Sequence, residues 1–122
     1  MQWQIVKRVA ELCYFNHDMD GWASELWDEM NEEQRAELPQ LGAQQPWIYN
    51  PERRAILQAE LDAIFAHLYD LNTEDLRYIL DPEDVCGKGC INETFRVLKD
   101  VEIRQYGEYR TKRLVLEAWN KF

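Results

Sequence analysis

The chain has 122 residues, of which 46% are hydrophobic and 12% aromatic, and these proportions exclude an intrinsically disordered protein. Its formal net charge of −9 excludes DNA binding by overall electrostatic attraction, because phosphate binding depends on Lys and Arg side chains that displace counterions. The length is that of one ordinary domain, so we expect residues 1–122 to form a single domain.

The charges are unevenly distributed along the chain. Residues 18–37 carry eight acidic residues and one basic residue, whereas residues 96–113 carry six basic and three acidic residues. One interpretation is a basic face directed toward DNA or a partner, with an acidic flank held away from it. The other is two ordinary solvated faces.

Hydrophobic periodicity predicts helices in the first part of the chain. The apolar residues of segment 2–15 recur at spacings of three and four, which favours a short amphipathic helix, with a strand as the alternative. A turn follows at residues 16–21, and a second helix is predicted over residues 24–38. Pro39, Gly42 and Pro46 interrupt this pattern, so residues 39–50 are predicted as a loop with a short β-hairpin.

The strongest helix prediction begins at Asn50, whose side chain can cap the free amides of the first turn. Pro51 suits the first helical position, where no amide hydrogen is needed. Two neighbouring apolar faces follow, and they predict a central helix covered on more than one side. The large-residue face is Leu57, Leu61, Ile64, Phe65 and Leu68, and the small-residue face is Ala55, Ala59, Ala63 and Ala66.

Three shorter helices are predicted in the rest of the chain. Thr73 caps one that ends at Asp81, and a loop follows over residues 82–91. The next begins at Asn92 or Thr94 and is closed by Gly107, and the last runs over residues 108–120. The sequence therefore predicts an all-α fold of about five helices.

The last of these helices resembles a segment of a known family. Large bacterial adenine-specific DNA methyltransferases of the type IIG restriction–modification and phage-defence classes often end in a similar helix. The residues that carry the resemblance are Gly107-Glu108-Tyr109-Arg110-Thr111-Lys112-Arg113-Leu114. Further segments similar to these enzymes occur in the same order upstream, at residues 53–63, 67–69, 76–81 and 93–98. The similar part therefore covers residues 51–119.

The resemblance implies an accessory function rather than catalysis. Methyltransferases of this family bind the methyl donor with a glycine-containing loop and hold the flipped base with an Asn/Asp-Pro-Pro-aromatic tetrapeptide, and the family's nucleases use a Glu-x-Lys motif. None of these motifs occurs in the sequence. We therefore expect a non-enzymatic C-terminal module, or a separately encoded equivalent, that needs no cofactor.

The basic residues near the C-terminus are the candidate binding residues. We expect Arg104, Arg110, Lys112 and Arg113 to contact phosphate or a protein partner. The implied partners are a methyltransferase or restriction subunit and duplex DNA. The alternative is a structural clamp in which Asp62 anchors Arg110 or Arg113. Trp119 and Phe122 are expected to be packing anchors.

Other candidate sites have simpler interpretations. Cys86 and Cys90 could supply two zinc ligands, with Cys13 and His17 or His67 completing the site, but the second ligand pair is scattered, so we expect no metal role. His67 is expected to be a partly buried, hydrogen-bonded side chain. Trp22 and Trp27 lie among acidic residues, which favours core or interface anchors over base stacking.

Cellular location follows from two sequence features. No apolar run approaches the ~20 residues of a membrane span, and the first residues show no signal pattern. We therefore expect a cytoplasmic protein with reduced thiols and no membrane partner.

Two rival functions remain open. The acidic segment 18–37 is compatible with an acidic adaptor or DNA mimic that binds and regulates a nuclease or methyltransferase. The other rival is a standalone enzyme with an unrecognised site.

Overall fold

Helices form the regular structure of this protein. The computed structural model describes residues 2–87 and 95–122. The helices in the first half of the chain are α1 (Gln2–Cys13), a 3-10 helix (His17–Met19), α2 (Asp20–Glu29), α3 (Glu32–Glu37) and α4 (Pro39–Ala43). Those that follow are α5 (Pro51–Leu68), α6 (Thr73–Leu80), α7 (Pro82–Cys86), α8 (Arg96–Tyr106) and α9 (Arg110–Trp119). The all-α prediction is confirmed.

The chain divides into two compact units, Met1–Arg54 and Ala55–Phe122. Each has its own buried apolar cluster. The first is built on Tyr14 and Leu41, which are fully buried, with Trp3, Trp22, Trp27 and Trp47 packed around them. The second contains Ala59, Ala66, Leu76, Leu80 and Val115. The interpretation of Trp22 and Trp27 as core anchors is confirmed, whereas a single domain spanning residues 1–122 stays a prediction.

The predicted hairpin at residues 39–50 is wrong, and no β-strand occurs in the described segments 2–87 and 95–122. Pro39 is the first residue of α4, where a missing amide hydrogen costs nothing. Leu41 anchors this short helix because its side chain is fully buried. Gln44, in the left-handed conformation at φ 51°, ends it.

The single helix predicted over residues 24–38 is also wrong, because it is divided into α2 and α3. Met30 adopts an extended conformation after α2, and its side chain is buried. Asn31 then begins α3 with a capping box, in which its side chain accepts from the Gln34 amide at 2.9 Å while the Gln34 side chain accepts from the Asn31 amide at 3.1 Å.

The prediction for α5 is confirmed at its start and along its small-residue face. The Asn50 side chain accepts from the amides of Glu52 at 3.0 Å and Arg53 at 3.2 Å. The buried residues of α5 are Leu57, Ala59, Glu60, Ala63, Ile64 and Ala66. Phe65 and Leu68 were expected on the buried face, but they are 44% and 51% exposed.

Two assignments in the second half of the chain differ from the prediction. Asn72, rather than Thr73, caps α6, because its side chain accepts from the Asp75 amide at 2.7 Å. Residues 82–86, predicted as a loop, form α7, which begins with Pro82. A helix start at Asn92 or Thr94 lies outside the described residues. Gly107, at φ 75°, closes α8 as predicted.

None of the helices within the described ranges is both long enough and apolar enough to cross a membrane.

Replacing Gly42 by Ala will destabilise the first unit. A Cβ atom at Gly42 would lie 2.7 Å from Cε2 and Cζ2 of Trp27, so the ring must shift. We expect the free energy of unfolding to fall by about 1–3 kcal/mol, as in other overpacked cores. The matched control is Gly21→Ala in α2, where the added Cβ meets no described atom within 4 Å. It should leave stability unchanged or raise it. Urea unfolding checks both variants, and a Gly42→Ala protein as stable as wild type would contradict the packing.

Candidate functional site

Two of the four predicted basic residues, Arg110 and Lys112, lie beside buried carboxylates. Asp81, between α6 and α7, is 8% exposed. Its Oδ1 accepts from Lys99 Nζ at 2.9 Å, and its Oδ2 accepts from Lys112 Nζ at 3.2 Å. Burial opposes ionisation of Asp81, but the hydrogen bonds from the two lysines outweigh it and hold the pKa of the carboxyl below its ordinary value.

Asp84 is a second acceptor for Lys112. The Lys112 Nζ lies 2.9 Å from Asp84 Oδ2, and Arg77 Nε donates to the same oxygen at 2.9 Å. These two hydrogen bonds lower the pKa of Asp84 from 3.8 to about 2. Lys112 therefore joins α6, α7 and α9 rather than extending into solvent.

Arg110, the first residue of α9, is held by Glu102 of α8. Glu102 is 5% exposed, and its Oε2 lies 4.0 Å from Arg110 Nε. Its Oε1 accepts from the Thr111 amide at 2.9 Å, which places a negative charge at the positive end of the α9 dipole. The Arg110 guanidinium also lies 4.0 Å from the centre of the Tyr106 ring.

Tyr109 anchors the same helix start through its hydroxyl. The Tyr109 hydroxyl donates to the Leu80 carbonyl at 3.1 Å, and the ring is buried. Burial, followed by the nearby charges of Glu102 and Asp81, raises the pKa of Tyr109 to about 12. The hydroxyl therefore remains a donor throughout the physiological pH range.

The other two candidate residues are more exposed. Arg113 Nε donates to the Glu108 carboxylate at 3.0 Å, and its Nη1 donates to Glu117 at 3.2 Å. Arg104 is exposed, and its Nε lies 3.5 Å from the Asp100 carbonyl. Arg104 thus belongs to none of the ion pairs in the described part of the chain.

Taken together, Arg110, Lys112 and Arg113 direct their charges toward carboxylates of the second unit. The sequence predicted Asp62 as the acceptor in a structural clamp, whereas the described carboxylate partners of Arg110 and Arg113 are Glu102, Glu108 and Glu117. Contact of the four basic residues with DNA or a partner stays a prediction.

Trp119 packs against the second buried cluster. Its ring stacks on His67 at 3.6 Å and 10°, and His67 Nε2 lies 3.0 Å from the Trp119 carbonyl. The structure thus confirms that His67 is partly buried and hydrogen-bonded. Phe122 is half-buried.

The cysteines do not form a described metal site. Cys13 is free and exposed, whereas Cys86 forms a disulfide bond, so the expectation of reduced thiols is wrong for Cys86. Cys90 lies outside the described residues. Within segments 2–87 and 95–122, no three His, Cys, Asp or Glu side chains are grouped closely enough to hold a metal ion.

The buried carboxylates were not predicted as site residues. Asp81 was interpreted only as a helix end, and the sequence holds no local signal for its partners, which lie 18 and 31 residues away. A second missed group is the Tyr14 hydroxyl, which donates to Asp20 at 2.5 Å while His17 Nδ1 lies 3.1 Å from the same carboxylate.

No family model matches the chain, and comparison with curated proteins and with solved structures finds no match. The similarity to adenine-specific methyltransferases is therefore an expectation carried by the sequence motifs.

Replacing Asp84 by Asn will weaken the second unit at neutral pH by about 1 kcal/mol, the upper range for a partly exposed ion pair. The folded pKa of about 2 lies below the unfolded value of 3.8, so the stabilisation is present above the unfolded value and is lost as pH falls toward the folded one. The difference from wild type should therefore shrink across this acid range.

Asp100→Asn is the matched control, because Asp100 is exposed on α8 and its side chain is in none of the described ion pairs. Urea unfolding at several pH values measures both variants. Equal losses for Asp84→Asn and Asp100→Asn at neutral pH would contradict the network.

Proposed function

We propose that this chain is a non-catalytic helical module of a bacterial adenine-specific DNA methyltransferase or restriction and phage-defence system, acting in the cytoplasm. Its task is to dock a protein subunit or domain of that system rather than to hold DNA directly. The observation that carries this choice is the pairing of Arg110, Lys112 and Arg113 with carboxylates.

The ion pairs support docking because they weaken the expected attraction for phosphate. A lysine or arginine that turns toward a phosphate weakens its contact with its carboxylate, and a carboxylate as buried as Asp81 or Glu102 then loses part of the positive charge that compensates it. The net charge of −9 adds a long-range repulsion for nucleic acid.

Exposed apolar side chains also support a protein partner. On α8, Val97 is 71% exposed, Ile103 44% and Tyr106 46%. On α6, Tyr78 is 52% exposed beside a groove of about 530 Å³ that also includes Leu71 and Val85. Exposed apolar groups such as these can contribute to an interaction surface.

Docking predicts that the chain binds duplex DNA more weakly than ordinary non-specific DNA-binding proteins do, with a Kd above about 100 μM at physiological salt. Fluorescence anisotropy of a labelled duplex across a salt series measures this. Arg104→Ala should change nothing, as should the double variant Arg110→Ala/Arg113→Ala. Micromolar binding that weakens steeply with salt and disappears in the double variant would contradict docking and favour a DNA clamp.

Docking also predicts a stable complex with an adenine-specific methyltransferase encoded beside this chain. Co-expression followed by size-exclusion chromatography should give co-elution that survives high salt, because apolar contacts strengthen rather than weaken under those conditions. Separate elution of the two proteins would contradict the proposal.

A second function is favoured by one observation, the acidic surface of α2 and α3. Five acidic side chains on these helices are exposed and belong to none of the ion pairs described for residues 2–87. These residues are Glu25, Asp28, Glu29, Glu32 and Glu33. A DNA mimic would present such a surface to the DNA-binding groove of its target. This function requires that the chain compete with duplex DNA for the methyltransferase. It also requires that neutralising the five acids to amides abolish the competition, whereas a docking module survives that change.

A further inference from the structure

A small cleft lies between α5 and α9 in the second unit. Its volume is about 220 Å³. Its walls are mostly apolar, and two carboxylates and one ammonium complete the described lining. The lining residues are Ile56, Ala59, Glu60, Leu114, Glu117, Ala118 and Lys121. Sites for drug-sized molecules span roughly 300–1,000 Å³, so this cleft suits a single amino-acid side chain instead.

Glu60 places a carboxylate in this cleft. The residue is 4% exposed, and its Oε1 accepts from Lys121 Nζ at 2.8 Å. Lys121 follows the end of α9 at Trp119, and its own side chain is 61% exposed. A buried carboxylate is thus matched by a solvated ammonium on a long, rotatable side chain. Such an ammonium can leave Glu60 when another cation takes its place, because the end of the lysine returns to solvent and the buried carboxylate stays paired.

Glu117 adds a second negative charge to the lining. Glu117 is exposed, and its described cation, Arg113, is shared with Glu108. Its negative charge is therefore only partly neutralised. A cation that enters the cleft therefore meets Glu60 at depth and Glu117 nearer the surface.

An arginine side chain fits these features better than a lysine. Its methylenes would lie against Ile56, Leu114 and Ala118, as the stems of long basic residues do on apolar surfaces. Its planar guanidinium presents several donors and can bond a carboxylate with two of them, which a single ammonium cannot do in the same geometry.

We propose that this cleft receives an arginine side chain from a protein partner and that Lys121 occupies the cleft when the partner is absent. The arginine belongs to a polypeptide rather than being the free amino acid. The α-carboxylate of free arginine would lie near Glu60 and Glu117, and the one ammonium of the lining is displaced by the entering guanidinium. The inference deepens the docking function proposed above and rests on it for the identity of the partner.

The test is an NMR titration of isotopically labelled full-length chain with N-acetyl-arginine amide. Backbone amides of Glu60, Leu114, Ala118 and Lys121 should shift together, with a dissociation constant on the order of 1 mM, as suits one small group. N-acetyl-citrulline amide, which is uncharged and nearly isosteric, should give no shift, and free arginine should bind more weakly. Equal shifts with the citrulline compound would overturn the proposal.

Variants of the chain distinguish displacement of Lys121 by the arginine from non-specific attraction of the arginine to acidic surface residues. Lys121→Gln should tighten binding by about two- to fivefold, because the arginine no longer competes with a solvent-exposed ammonium for Glu60. Glu60→Gln should abolish binding. Lys7→Gln, which removes an equally charged lysine paired with Glu37 in the first unit, should change nothing. Glu60→Gln also removes a buried ion pair of α5, so the decisive variant is Lys121→Gln. Unchanged or weaker arginine binding by Lys121→Gln refutes the proposal.

Co-elution with the methyltransferase separates this inference from the docking function. If the wild-type chain, Lys121→Gln and Glu60→Gln all co-elute equally, docking stands and the arginine cleft is refuted as its contact. If the arginine compound binds as described but no methyltransferase co-elutes, the docking function fails while the chemistry of the cleft stands.

Discussion

Two buried carboxylates, Asp81 and Glu102, determine how the last four helices are held together. Asp81 lies between α6 and α7 and accepts from Lys99 of α8 and Lys112 of α9. Glu102 of α8 meets Arg110 and the Thr111 amide at the start of α9. Removing a cation from either carboxylate leaves a charge with reduced access to water, which is strongly unfavourable. The main role of these basic residues is therefore to neutralise the buried carboxylates and hold the helices together.

This constraint changes the meaning of the basic segment 96–113. Its sequence suggests a phosphate-binding face, but in the structure most of its positive charges are directed toward neighbouring acidic side chains of the same unit. What the second unit offers to a partner is then apolar surface on α6 and α8 and a small acidic cleft between α5 and α9. These features favour specific protein contact over attraction to a polyanion.

The parts of the fold that could be predicted are those specified by neighbouring residues. Asn50 and Pro51 fix the start of α5, and Gly107 fixes the end of α8, because caps and left-handed positions depend on a few adjacent residues. Pro39 and Pro82 were interpreted as helix breakers, although proline equally begins a helix, and both do so here. Asn31 and Gln34 carried a capping signal that the prediction of a single helix over residues 24–38 did not use.

The candidate site was predictable only in part. Its basic residues stood out by charge, but their acceptors come from other helices, so no spacing rule connects Lys112 to Asp81 or Lys121 to Glu60. The most direct measurement is a double-mutant cycle on Asp81→Asn and Lys112→Met, followed by urea unfolding. The account predicts a coupling energy of about 0.5–3 kcal/mol between the two side chains, as for residues in one network. A coupling near zero, with Lys112→Met instead weakening duplex DNA binding, would contradict it.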